Sequence, residues 1–313
     1  RKFDKLDIKT SLLGFGCMRF PTLKDGKIDE TKAEQMIDLA IKNGVNYIDT
    51  AYPYHNGDSE PFLGKILNKY PRNSYFLATK LPIWAIENKD DVYRIFDEQL
   101  QRLETEYIDF YLLHAMNKDY FAKVKELGII EICEEFRKEG KIKYLGFSFH
   151  DSYEVFDEIL NHYHWDFCQI QFNYMDTEIQ AGLKGYELAK AKDIPLIVME
   201  PIKGGLLAKL PKEISMMFSQ NGNRKSDSSY ALRYIASFDH VKVILSGMST
   251  LEQVEDNLDT FNNYTELSKE EHITIEKVVN SLKSRLKNGC TGCRYCMPRS
   301  EERRVGKECR SRW

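Results

Sequence analysis

The chain has 313 residues, a formal net charge of −3, seven cysteines, 30% charged and 42% hydrophobic residues. That length fits two domains or one α/β barrel of about 250 residues or more, with a core large enough to need no disulfides. The balanced charge leaves no electrostatic footprint for nucleic acid or a membrane surface. No apolar run reaches the roughly 18 residues of a membrane span, and Arg1-Lys2-Phe3-Asp4 lacks the apolar core of a secretory signal. A soluble, cytoplasmic, globular protein is expected.

In chain order, Phe3–Lys9 reads as a small hairpin, and Leu13–Met18 is the first strand-like run. Asp29-Glu30-Thr31 opens a helix carrying Ala33, Met36, Ile37, Ala40 and Ile41, which Asn43-Gly44 closes. Strands follow at Tyr47–Thr50 and Tyr75–Lys80, then a helix over Asp90–Leu103, a strand at Asp109–His114 and a helix over Ile129–Arg137. The alternation continues with a strand at Tyr144–Phe149, a helix from Asp151-Ser152 to Leu160, a strand at Cys168–Phe172 and a helix over Glu178–Ala191. It ends with a strand at Pro195–Glu200, a helix over Ser226–Ser237, a strand at Val241–Gly247, and helices over Thr250–Phe261 and Ser268–Leu286.

The strand-like runs are near-continuously apolar, as parallel strands covered on both faces must be. Eight of them alternating with helices close a (β/α)8 TIM barrel with right-handed crossovers. The rival, an open doubly wound sheet, wants an early Gly-x-Gly-x-x-Gly, and none is present.

Barrel enzymes carry their chemistry at the C-terminal ends of the strands. Those positions hold Asp49, Lys80 and His114, with Tyr54 five residues beyond Asp49. Each ends an apolar run, where burial without a partner is costly. An Asp–Lys pair beside a tyrosine lowers the phenol pKa and lets it exchange a proton near neutral pH. Tyr52 is a nearby competitor, and spacing favours Tyr54. Pro82-Ile83-Trp84, Ala115-Met116-Asn117 and Phe149-His150 suggest an apolar, aromatic wall.

Cys17, Cys133 and Cys168 sit among apolar residues and read as small buried hydrophobes. Cys290, Cys293 and Cys296 form Cys-x-x-Cys-x-x-Cys, the spacing of iron–sulfur ligands. The fourth cysteine that usually completes the set is missing, because Arg299 follows Met297-Pro298. A redox-inert turn or a zinc site is the alternative.

Gly14-Phe15-Gly16, Tyr47-Ile48-Asp49-Thr50-Ala51 with Tyr54, Ala78-Thr79-Lys80, Tyr111-Leu112-Leu113-His114, Gly146-Phe147-Ser148, Gln169–Asn173 and Ser246–Asn257 together resemble the aldo/keto reductase superfamily. The resemblance covers Leu12 to Leu286. It implies hydride transfer from a nicotinamide to an aldehyde or ketone, with Tyr54 as general acid and Asp49, Lys80 and His114 completing a tetrad. It also implies that Ser148 and Gln171 meet the carboxamide, and that Gly247, Met248, Ser249, Gln253, Asp256 and Asn257 grip the adenosine end. Gly16, Cys17 and Met18 line the same cleft. Met199 replaces the aromatic that usually stacks on the nicotinamide, with Glu200-Pro201-Ile202 after it. Gly247 and Gln253 stand where many members place Lys and Arg for a 2′-phosphate; the cofactor is NADP or NAD, NADPH being slightly favoured, with Lys203 as a substitute cation or a solvated loop residue.

The C-terminal cysteines resemble those of a prokaryotic branch bearing a ferredoxin-type 4Fe-4S segment, here cut short and without an intact ligand set. That implies an electron-transfer partner in a full-length form. Residues 299–313 resemble a translated sequencing adapter, whose codons read Arg-Ser-Glu-Glu-Arg-Arg-Val-Gly; a basic disordered tail is the alternative. The organisation expected is a reductase barrel over 1–287, the start of a cysteine segment over 288–298 and a non-native tail over 299–313. Two rival functions remain: a non-catalytic nucleotide-binding barrel acting as a redox sensor, and a barrel whose main electron route is the iron–sulfur segment.

Overall fold

The computed structural model describes residues 1–219 and 225–285. Cys290, Cys293 and Cys296, and the boundaries expected at 287 and 298, lie outside the described residues. An antiparallel hairpin, β1 (Lys2–Phe3) and β2 (Ile8–Lys9), comes first. Eight parallel strands follow: β3 (Leu13–Gly16), β4 (Tyr47–Asp49), β5 (Phe76–Leu81), β6 (Ile108–Met116), β7 (Ile142–Phe149), β8 (Phe167–Gln171), β9 (Leu196–Met199) and β10 (Val241–Gly247). They close in sequence order, β10 pairing back to β3, so the expected barrel is present.

The barrel's lower interior is filled with rings. Phe110 packs against Tyr47 at 5.0 Å and Phe167 at 4.9 Å, and Phe3 from the hairpin closes on it at 5.8 Å. Leu112, Ile197 and Val243 complete this layer. The hairpin is thus a plug, and truncating Phe3 removes about 3–5 kcal/mol of packing.

Helices coat the outside: α1 (Glu30–Lys42), α2 (Ser59–Leu67), α3 (Lys89–Arg102), α4 (Lys118–Leu127), α5 (Ile129–Lys138), α6 (Tyr153–His162), α7 (Gly182–Ala191), α8 (Lys212–Ser219), α9 (Asp227–Ala236), α10 (Leu251–Asn262) and α11 (Lys269–Arg285). Caps are legible in the sequence: Asp29 accepts from the Lys32 amide at 3.2 Å, and Asn88 with Asp91 forms a capping box on α3.

Three helices escape the periodicity reading. Seven of the nine α2 residues are buried, so no polar face marks it. A Cβ on its Gly64 would stand 2.4 Å from the Arg102 carbonyl, and only glycine allows that approach. The apolar face of α4 is sparse, with only Phe121 and Val124 buried, and α8 spans just eight residues. The helix expected over Glu178–Ala191 starts at Gly182, because Gln180 and Gly182 take left-handed φ values of 57° and 51°. No described helix is long and apolar enough to cross a membrane.

Candidate active site

Asp49 is the last residue of β4, and Lys80 lies near the end of β5. β6 continues past His114 because its pairing with β7 shifts between Leu113 and Met116, and Ala115 takes φ +54°. Such a bulge re-aims the side chains around it. Tyr54 opens a 3-10 turn after β4.

These four residues converge. Lys80 is 1% exposed, and its Nζ donates to Asp49 Oδ1 at 2.7 Å and to the Thr50 carbonyl at 2.6 Å. The same Nζ lies 5.1 Å from the Tyr54 ring centroid, and the Tyr54 and His114 rings meet edge-on at 6.2 Å. Tyr52 points elsewhere: its hydroxyl donates to Glu98 at 2.9 Å, and Arg102 covers its ring at 4.2 Å. Of the expected aromatic wall, half-buried Trp84 stands 5.0 Å from the His114 ring, while Met116 and Phe149 are core residues.

The site's charges depart from one expectation. The Tyr54 phenol is pushed well above its ordinary value, by burial first and then by Asp49, with Arg19 opposing. Burial outweighs the neighbouring cations, and the Lys80 ammonium, expected to lower the phenol, is also bonded to Asp49 and the Thr50 carbonyl. Burial raises the Asp49 carboxyl, and Lys80 pulls it back. Burial, followed by Lys80 and His150, pushes His114 well below the usual histidine range. The imidazole is therefore neutral, and its Nδ1 has no partner.

A buried polar network sits behind the strand ends. Ser59 and Thr50 hydroxyls lie 2.9 Å apart. Glu60, fully buried, accepts from Thr79 Oγ1 and Gln99 Nε2, each at 2.7 Å. Gln99 Nε2 also donates to the Lys80 carbonyl at 3.1 Å, and Tyr111 donates to Gln99 Oε1 at 2.8 Å. The first turn of α2 thus fastens the ends of β4 and β5. Sequence reasoning missed Glu60; the available signal was a carboxylate opening an otherwise apolar segment.

The ends of β8, β9, β10 and β3 form the other side of the mouth. Gly247 and Gly16 are register partners on adjacent strands, leaving a shelf of bare backbone. A Cβ on Gly247 would meet Arg19 Cγ at 2.9 Å, so the Arg19 stem lies across this shelf. Ser249 Oγ donates to the Arg19 carbonyl at 2.7 Å, and its amide donates to Gln253 Oε1 at 2.7 Å. Asn257 Nδ2 donates to Ser246 at 2.8 Å, and Asp256 accepts from Ser226 and Ser228 at 2.7 and 2.6 Å.

Other expected cofactor residues are engaged within the protein. Ser148 Oγ accepts from the Ala115 amide at 2.8 Å, and Gln171 Nε2 donates to Asp176 at 3.0 Å. Met199 is half-buried at the end of β9, its sulfur 3.4 Å from Gln169 Nε2, and Met18 is half-buried beside Arg19. The side chains of Cys17 and Met248 are in the core. Lys203 is neither a solvated loop residue nor a stand-in for a phosphate-binding cation, because it is 2% exposed and ion-paired with Asp176. Arg19 and Glu200 are two further charges at this mouth, and both act on Tyr54.

The donor set suits a nicotinamide dinucleotide. The two-glycine shelf admits close backbone approach, and Asp49 Oδ2, His114 Nδ1 and Glu200 Oε2 are buried atoms with unused hydrogen-bonding capacity.

The model of the Aldo/keto reductase family matches residues 12–280. The chain is 28% identical over 292 residues to the uncharacterized oxidoreductase YqkF of Bacillus subtilis (strain 168), covering 84% of this chain and 90% of that one. It is 28% identical over 249 residues to glyoxal reductase of the same organism, covering 78% and 83%. The holo form of the aldo-keto reductase AKR11C1 from Bacillus halodurans matches with a TM-score of 0.73 at 29% identity, over 89% of this chain and 95% of that one.

Proposed function

The chain belongs to the aldo/keto reductase family, and from that premise we propose that it reduces a small aldehyde or ketone with NAD(P)H at the Asp49–Tyr54–Lys80–His114 mouth. The observation that carries this reading is the convergence of the four: a buried Lys80–Asp49 pair at 2.7 Å, 5.1 Å from the Tyr54 ring, with His114 alongside. A bound nicotinamide supplies the hydride that reaches the carbonyl carbon. The protein's own residues manage the oxygen. Neutral His114 donates an N–H that orients the carbonyl, and Tyr54, kept protonated by its raised pKa, gives its proton to the forming alkoxide. Lys80 steadies charge near that oxygen, and Asp49 holds Lys80 in place.

Gly16, Gly247, Ser249, Gln253 and Asn257 are the residues that would hold the dinucleotide, with Ser148, Gln171 and Met199 at its nicotinamide end. Choice between NADPH and NADH falls to Arg19, the cation lying across the Gly247 shelf. The likeness to glyoxal reductase supports a small aldehyde substrate. NAD(P)H oxidation against glyoxal and larger carbonyls, wild type beside Tyr54→Phe, tests the reading. Equal turnover in the two proteins overturns it.

Cytoplasmic residence is supported by the three free, buried cysteines Cys17, Cys133 and Cys168. The spacing of Cys290, Cys293 and Cys296 supports an iron–sulfur segment and an electron-transfer partner. Iron content of a full-length form carrying the fourth cysteine, compared with its Cys293→Ala variant, tests that part, and absence of iron there removes it.

A further inference from the structure

Glu200 is a charge at the barrel mouth that the proposed reaction does not use. It follows β9 with φ +55°, a backbone conformation that a glutamate keeps only when its surroundings impose it. Its carbonyl accepts from Asn173 Nδ2 at 3.3 Å and from the Lys203 amide at 3.0 Å. The side chain is half-buried, and Oε2 is shut away from solvent without a hydrogen-bond partner.

Four charged or titratable groups face it from the elements packed around it. Lys203 lies on the same turn, Asp176 on the segment after β8, Arg19 on the turn after β3 and Tyr54 on the turn after β4. Lys203 and Asp176 are already paired with each other, and their joint charge is neutral. Burial outweighs Lys203 and Arg19 and brings the Glu200 carboxyl up to about 7.

Geometry then ties this carboxyl to the cofactor. A carbonyl held by Tyr54 and His114 must have its carbon about 3–3.5 Å from the hydride-bearing ring carbon. Glu200 directly follows Met199, the β9-end residue paired with Gln171, and these two strand ends form the side of the mouth where the ring would lie. The oxidised ring carries one more positive charge than the reduced ring, so an ionised carboxylate beside it favours the oxidised form.

We propose that Glu200 makes the site discriminate between the two redox states of the dinucleotide, holding the oxidised form more tightly once its carboxyl is ionised. This rests on the cofactor reading above. By linkage, the oxidised form drives the proton off Glu200 and the reduced form leaves it on. The carboxyl is neutral at pH 6, where discrimination is weakest, and charged above pH 7, where it is strongest. Tyr54 titrates above this window and His114 below it.

The test is the dissociation constant of NADP+ and of NADPH, measured on the whole chain by calorimetry between pH 6 and 8.5. Their ratio cancels the phosphates common to both. In the wild type, Kd(NADP+)/Kd(NADPH) should fall about fivefold to tenfold as pH rises through 7. In Glu200→Gln it should stay constant. A constant ratio in the wild type with both dinucleotides binding, or a slope that survives in Glu200→Gln, overturns the proposal while leaving the cofactor reading standing. If neither dinucleotide binds, the cofactor reading falls and takes this inference with it. If that variant fails to fold, Glu200→Asp, which keeps the carboxyl on a shorter stem, should shift the midpoint of the slope, and an unmoved midpoint overturns the proposal.

Discussion

The two sides of the barrel mouth are built on opposite plans. At β4, β5 and β6 the working groups are long, charged and buried, and Asp49, Thr50, Glu60 and Gln99 pin them in place. At β10 and β3 the surface is glycine backbone edged by polar side chains bonded to the protein itself. Rigid charge belongs where charge develops during the reaction. Bare backbone belongs where a large ligand must lie close to the chain.

That contrast can be broken first at its proton donor. Tyr54→Phe should cost about 10²- to 10⁴-fold in carbonyl turnover and leave the unfolding midpoint essentially unchanged, since the ring and its packing are kept. Steady-state kinetics beside thermal melting read both effects.

The pinned side should also respond as a unit. Asp49→Asn or Lys80→Met leaves one buried charge alone and should destabilise the fold by about 3–5 kcal/mol. The double replacement should recover part of that loss. Urea unfolding of the three variants measures it, and additive losses would show that the pair does not act as one.

On the glycine side, Gly247→Ala should act on binding more than on stability. The added methyl displaces the Arg19 stem, and dinucleotide affinity should fall about tenfold, roughly 1.4 kcal/mol. Unaltered affinity would mean that the shelf is not the dinucleotide's seat.

The smallest expected effect is on the pH profile of reduction. A general acid works in its protonated form, present below its pKa, and Tyr54's value is raised. Reduction should stay flat from pH 6 to 9, while alcohol oxidation, which needs the phenolate, should climb across the same range. A reduction rate that drops steeply between pH 7 and 9 contradicts the assignment.

The barrel was legible because parallel strands covered on both faces leave unbroken apolar runs, and each run stops at a polar residue. Asp49, Lys80 and His114 stand out for the same reason. α2 was hidden by being buried on nearly every side. Glu60, Lys203 and Glu200 were hidden because a charge takes its meaning from its partners: Gln99 lies 39 residues from Glu60, and Asp176 lies 27 from Lys203. The direction of the Tyr54 shift was hidden likewise, since the sequence shows Lys80 but not the burial that raises the phenol.

The ring-filled lower end has a kinetic meaning. With Phe3 lodged against Phe110, the barrel has a floor, and the mouth above Lys80 is the common doorway for hydride donor and acceptor alike. Whichever of the two is seated deeper cannot leave past the other.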